Sequence, residues 1–160
     1  MPTFRPLQPS SHGVSSQSKL VTRAIATAAT RQESSVALFG QCHGALGELA
    51  EICEDCAKPD WDGYGAHPVA NEAAVNAESF LYALPRSCPA PEISPEPDGS
   101  VALIWYGGRR QVFSVSFEAD TRVTYAGLDG TSKWRGVEIF DGNEVPEFLL
   151  AGINRVAVAR

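Results

Sequence analysis

The chain has 160 residues, 44% of them hydrophobic and 20% charged, with a formal net charge of -6. That is enough for one domain with its own core and too few for two ordinary ones. The acidity argues against a broad phosphate-binding face, which needs clustered Lys and Arg, and suits solubility and a basic partner. No apolar run approaches the roughly 20 residues of a membrane helix.

The charge is uneven. Residues 1–35 carry Arg5, Lys19, Arg23 and Arg31 against Glu33 alone, and the remainder carries nine basic against eighteen acidic residues. Residues 1–16 are rich in Pro and Ser and poor in large apolar side chains, so a flexible basic arm is expected over residues 1–33. Within it, Leu20, Val21, Ile25 and Ala28 fall at helical spacing, and a short helix there would depend on docking for its order. A single domain is expected over 34–160.

A helix is predicted over about Ser35 to Ala57, because Phe39, Cys42, Leu46, Leu49, Cys53 and Cys56 form one apolar stripe. Pro59 ends it. After the turn Trp61-Asp62-Gly63-Tyr64-Gly65-Ala66, a second helix runs from about Val69 to Leu84, with Ala73, Ala77, Phe80, Leu81 and Leu84 inward and Pro85 beyond. From Pro89 the period becomes two. Glu92 to Pro97 reads as an edge strand. Val101 to Tyr106 is apolar on both faces and reads as a central strand. Gly107-Gly108 is a two-residue hairpin signal, after which Phe113, Val115 and Phe117 share a buried face. Val123 and Tyr125 continue that face on the next strand. In Trp134 to Phe140, Val137 and Ile139 read as core. A last helix, about Val145 to Val156, has Leu149, Leu150, Ile153 and Val156 inward. The expected fold is α+β: N-terminal helices, an antiparallel meander of three to five strands, a C-terminal helix, and helices on one face of the sheet.

The candidate chemistry is sparse. Cys53-Glu54-Asp55-Cys56 is a CxxC, but it ends a helix beside acidic residues, where a thiolate is disfavoured, and it shares the apolar stripe with Cys42. It reads as packing. A zinc site from Cys53, Cys56, His67 and Cys88, with Cys42 or His43, lacks a second knuckle. No Ser lies in a nucleophile-elbow pattern and no Gly-rich loop matches a phosphate cradle. No catalytic residue, metal or cofactor is therefore assigned. Asp60 and Asp62 suit a divalent ion, but two surface aspartates in a turn are usually just solvated. Trp61 and Tyr64 suit either a staple between helix and sheet or a partner anchor projecting from one turn. Arg109 and Arg110 leave the Gly107-Gly108 turn on opposite strand faces; they read as edge charges, or with Arg122 as a basic spot for an acidic partner.

The stretch from Asp60 to about Val156, about three fifths of the chain, resembles a family of small bacterial proteins to which no activity is attached. The resemblance rests on Trp61 to Ala66, Phe80 to Pro85, Pro97 to Trp105 and Thr124-Tyr125-Ala126, which are turns and aromatics rather than ligands. It implies a bacterial protein, encoded in accessory or mobile DNA. It also weighs against reading the Ser-, Thr- and Arg-containing N-terminus as an organelle transit peptide. With no apolar signal core, a reducing cytoplasm is the expected setting for the four cysteines.

The expected function is that of a non-enzymatic cytoplasmic module that binds another protein, in the manner of an antitoxin, immunity protein or inhibitor. Trp61, Tyr64, Arg109, Arg110, Lys19 and Arg23 are the candidate contact residues, and the arm orders as it meets the partner. One alternative is a small metal-dependent enzyme using the Asp60/Asp62 turn. The other is a nucleic-acid-binding accessory protein using Lys19, Arg23 and Arg31, against which the acidic body argues.

Overall fold

A computed structural model describes residues 42–157. The predicted arm with Lys19 and Arg23, and the first turns of the helix expected from Ser35, lie outside the described residues.

The described fold is α+β. Helix α1 (His43–Asp55) and helix α2 (Asn71–Ala83) precede five strands: β1 (Glu92–Pro95), β2 (Val101–Tyr106), β3 (Gln111–Phe117), β4 (Arg122–Asp129) and β5 (Ser132–Ile139). Helix α3 (Glu147–Ala157) follows. The strands form one antiparallel meander in the order β1-β2-β3-β4-β5.

The register assigns the two faces. Ile93 pairs with Leu103, Leu103 with Val115, and Val115 with Tyr125, so these share a face with Val101, Trp105, Phe113, Phe117 and Val123. All the described helices pack on this side. Trp105, Phe80, Phe113, Phe117, Leu103, Leu149 and Ile153 are its largest fully buried side chains, and burying each contributes about 1.5–3 kcal/mol. Phe80 sits edge-on to Phe117 and Phe140 at 5.1 and 5.2 Å. Asn76 Nδ2 donates to the carbonyls of Glu118 and Asp120, tying α2 to the β3–β4 turn.

Helix α3 approaches the sheet closely because Gly152 lies against Phe113, where a Cβ would stand 2.5 Å from the ring. On β4 and β5 each glycine is covered by the aromatic opposite it: Gly127 by Trp134, and Gly136 by Tyr125. Trp134 in turn stacks on Phe113.

That arrangement overturns the expected burial of Val137 and Ile139, which are 56% and 61% exposed. The aromatic ring of Trp134 takes the inward parity on β5, together with Gly136 and Glu138. Odd-numbered residues then point to the opposite face, and one position of register moves every side chain across the sheet. Strand β2 is also less enclosed than expected. It pairs on both edges, and Ala102 is buried, but Tyr106 on its second face is exposed.

The β2–β3 hairpin differs from a two-residue turn. The N–H of Gly107 donates to Gln111 O, and that of Gln111 to Gly108 O. The loop is therefore Gly108-Arg109-Arg110, with Arg110 left-handed at φ 61, a three-residue connection ending in a left-handed residue.

Candidate functional site

The Trp61 turn closes on itself. The N–H of Asp60 donates to Ala66 O at 2.8 Å. Asp60 Oδ1 accepts the N–H of Gly65, and Asp62 Oδ1 accepts those of Tyr64 and Ala66. Asp60, Gly63 and Gly65 all have positive φ. The two aspartates thus hold the backbone of their own turn. Among the described residues no group of three or more His, Cys, Asp and Glu is placed to hold a metal ion.

The turn and the residues after it dock on the turn between β1 and β2. The N–H of His67 donates to Pro97 O, and that of Ala70 to Gly99 O. Trp61 Nε1 donates to His67 O at 2.9 Å. Trp61 and Tyr64 do not project together: Trp61 is half-buried and spent on this bond, whereas Tyr64 is 94% exposed. Beneath the junction Ser100 is buried, and its hydroxyl lies within reach of Glu96 Oε2 and Asp98 Oδ1. With a single proton, it donates to one of them at a time. This hydroxyl is the main cause that holds the Asp98 carboxyl below its ordinary range.

Cys42 and Cys88 belong to the core, Cys53 packs against it and Cys56 is buried, and all four are free thiols. Burial raises each of them, Cys88 to about 11, which disfavours the thiolate that redox or metal chemistry requires.

Arg109 and Arg110 occupy the hairpin loop and are exposed. Arg122 does not join them. It begins β4, whereas Gln111 next to Arg110 pairs with Asp129 at the far end of that strand. Eight residues of strand separate the two ends, roughly 25 Å, and Arg122 is paired to Asp120 at 2.7 Å.

The feature that sequence reasoning missed is the second face of the sheet. No described element packs on it. Ile104 and Tyr106 of β2 lie on it, with Val112, Ser114 and Ser116 of β3, Thr124, Ala126 and Leu128 of β4, and Lys133, Arg135, Val137 and Ile139 of β5. The small side chains of Ser114, Ser116 and Ala126 leave a depression between longer neighbours. A groove of about 510 Å³ lies over Val112, Ser114, Ala126, Leu128, Lys133 and Arg135. A second, of about 450 Å³, continues along Ser116, Thr124 and Val137, sharing Ser114, Ala126 and Arg135.

The charged side chains at this parity on β3, β4 and β5 are Lys133, Arg135 and, at the far end of β4, Arg122, which is already paired to Asp120. Lys133 and Arg135 have no ion-pair partner among the described residues. The hairpin loop lies at the Lys133 end, since Arg110 O accepts the N–H of Gly130 in the β4–β5 turn. A chain of net charge -6 thus carries a locally cationic, half-apolar groove. The signal in the sequence was the spacing of Ser114 and Ser116 against Lys133 and Arg135, which is readable only once the β5 register is known.

Among the described residues the fold is α+β, with helices on one face of the sheet and none on the other. No family model, curated protein or solved structure matches the chain. No helix among the described residues is long and apolar enough to cross a membrane.

Proposed function

We propose that this chain is a non-enzymatic module that binds another protein through the second face of its sheet, in an antitoxin-, immunity- or inhibitor-like role. The observation that carries the reading is the groove over β3, β4 and β5, with Lys133 and Arg135 free of ion pairs beside small hydroxyl and apolar side chains. Exposed apolar surface rimmed by polar groups marks an interaction site, and the sign of the charge selects an acidic partner surface. Arg109 and Arg110, at the Lys133 end, extend the positive charge.

The groups that other chemistries would use have structural employment here. Asp60 and Asp62 hold their turn, Ser100 is buried under its junction, and the thiols are raised by burial. Four free thiols suit a reducing cytoplasm. Trp61 belongs to the junction in this reading, and Tyr64 is a separate exposed contact.

The test is affinity capture from cells of the source organism, using the wild-type chain and the Arg135→Glu and Ala126→Trp variants. A partner retained by the wild type and lost from both variants, with unchanged thermal unfolding, supports the reading. A partner retained equally by all three excludes this face.

A further inference from the structure

The edge of β5 carries the reading of the chain as a protein-binding module one step further. Strand β5 pairs with β4 on one side and with no described strand on the other. Its eight residues contain no Pro. They present roughly 26 Å of edge with unpaired N–H and C=O groups.

Cavities open on both sides of this strand. The 510 Å³ groove lies on the second face, and a pocket of about 350 Å³ lies on the helix face between β5 and α3. Both are lined by Lys133 and Trp134. The helix-face pocket is aromatic: its wall includes Trp134 and the half-exposed Phe148. Arg155 lies 4.6 Å from the Trp134 ring and is already paired to Asp129. That pocket suits an aliphatic or aromatic side chain. The other face offers Lys133 and Arg135 without ion pairs, and so suits carboxylates.

We propose that the β5 edge accepts an extended acidic segment of a partner protein as a sixth strand, whose alternating side chains enter the two cavities. Side chains of a strand point to opposite faces in turn. The segment therefore alternates Asp or Glu, set against Lys133 and Arg135, with apolar residues set against Trp134 and Phe148. Backbone bonds supply affinity and the two cavities supply specificity, as in other strand additions.

Charge favours this occupant over two others. A second copy pairing β5 with β5 brings two Lys133 and two Arg135 side chains to one face, where like charges oppose each other. The chain's own first 35 residues have four basic side chains against one acidic, again the wrong sign.

The test pans the full-length chain against two displayed peptide libraries. In one, Asp or Glu is fixed at alternate positions and apolar residues vary between them; in the other, Lys or Arg replaces the acids. The acidic library is expected to enrich, and its binders to slow hydrogen exchange at alternate β5 amides. The double variant Lys133→Glu, Arg135→Glu is expected to switch preference to the basic library. Phe148→Ala is expected to weaken the acidic binders by about tenfold or more. Failure of the acidic library to enrich, or binders that leave β5 exchange unchanged, overturns strand addition. So does a β5 edge already slow to exchange in the peptide-free chain, or one whose protection grows with chain concentration. If a native partner is still lost on Arg135→Glu while β5 exchange is unchanged, the protein-binding reading stands and the edge mechanism alone fails.

Discussion

The backbone N–H of His67 donates to the carbonyl oxygen of Pro97 across 2.8 Å. The two most distinctive turns of the sequence, Trp61 to Ala66 and Pro97 to Ser100, are therefore one structural unit. Ala70 and Gly99 repeat the contact one step further on. This unit ties the segment between α1 and α2 to the β1–β2 hairpin, and Trp61 donates to His67 O within it.

Gly99 is where that unit is least tolerant. Its φ is +90, and a Cβ would stand 2.7 Å from Pro68 O. Gly99→Ala is expected to destabilise the protein by about 2–3 kcal/mol, combining backbone strain with displacement of Pro68. Urea denaturation measures it. An unchanged midpoint would show that the two turns do not depend on their close approach.

Trp61 and Tyr64 are expected to separate on substitution. Trp61→Phe removes the donor to His67 O and should cost about 1 kcal/mol. Tyr64→Ala, at an almost fully exposed position, should stay within about 0.5 kcal/mol. Equal losses in thermal unfolding would mean that Tyr64 also holds the junction.

Ser100 links the junction to pH. Asp98 titrates below its ordinary range in the fold, chiefly because of the Ser100 hydroxyl. A carboxyl with a lowered folded pKa contributes stability that is present above the ordinary aspartate range and is lost as pH falls through the folded value. Ser100→Ala should cost about 1–2 kcal/mol near neutrality. The gap between variant and wild type should narrow as pH falls below about 4. Carboxyl titration by NMR should show the Asp98 pKa rising in the variant; an unmoved pKa would remove Ser100 as its cause.

Two helical glycines should respond in opposite directions. Gly47 has nothing within 4 Å of an added Cβ, so Gly47→Ala should stabilise α1 by about 0.5–1 kcal/mol. Gly152→Ala drives a methyl into the Phe113 ring and should destabilise by about 1–3 kcal/mol. If both variants gain stability, α3 does not rest on Phe113 through Gly152.

Much of the fold was legible because the inward residues of β2 and β3 alternate strictly: Val101, Leu103 and Trp105, then Phe113, Val115 and Phe117. Strand β5 was not legible in this way. Its apolar residues occupy both parities, and Trp134 outcompetes Val137 and Ile139 for the core because Gly127 opposite leaves room for an indole. The hairpin was misread because Gly107, just past the end of β2, bonds back to Gln111 and the left-handed position falls to Arg110. The candidate site depends on the same β5 register, so its groove stayed hidden in sequence while the conspicuous aromatics and aspartates of the Trp61 turn drew attention.

The proposed recognition surface is the second face of the sheet. Hydrogen exchange of the full-length chain, with and without the captured partner, is the decisive measurement. Protection is expected over residues 112–116, 124–128 and 133–139, weakening as salt screens Lys133 and Arg135. Protection confined to residues 60–68, with those three strands unchanged, would contradict it.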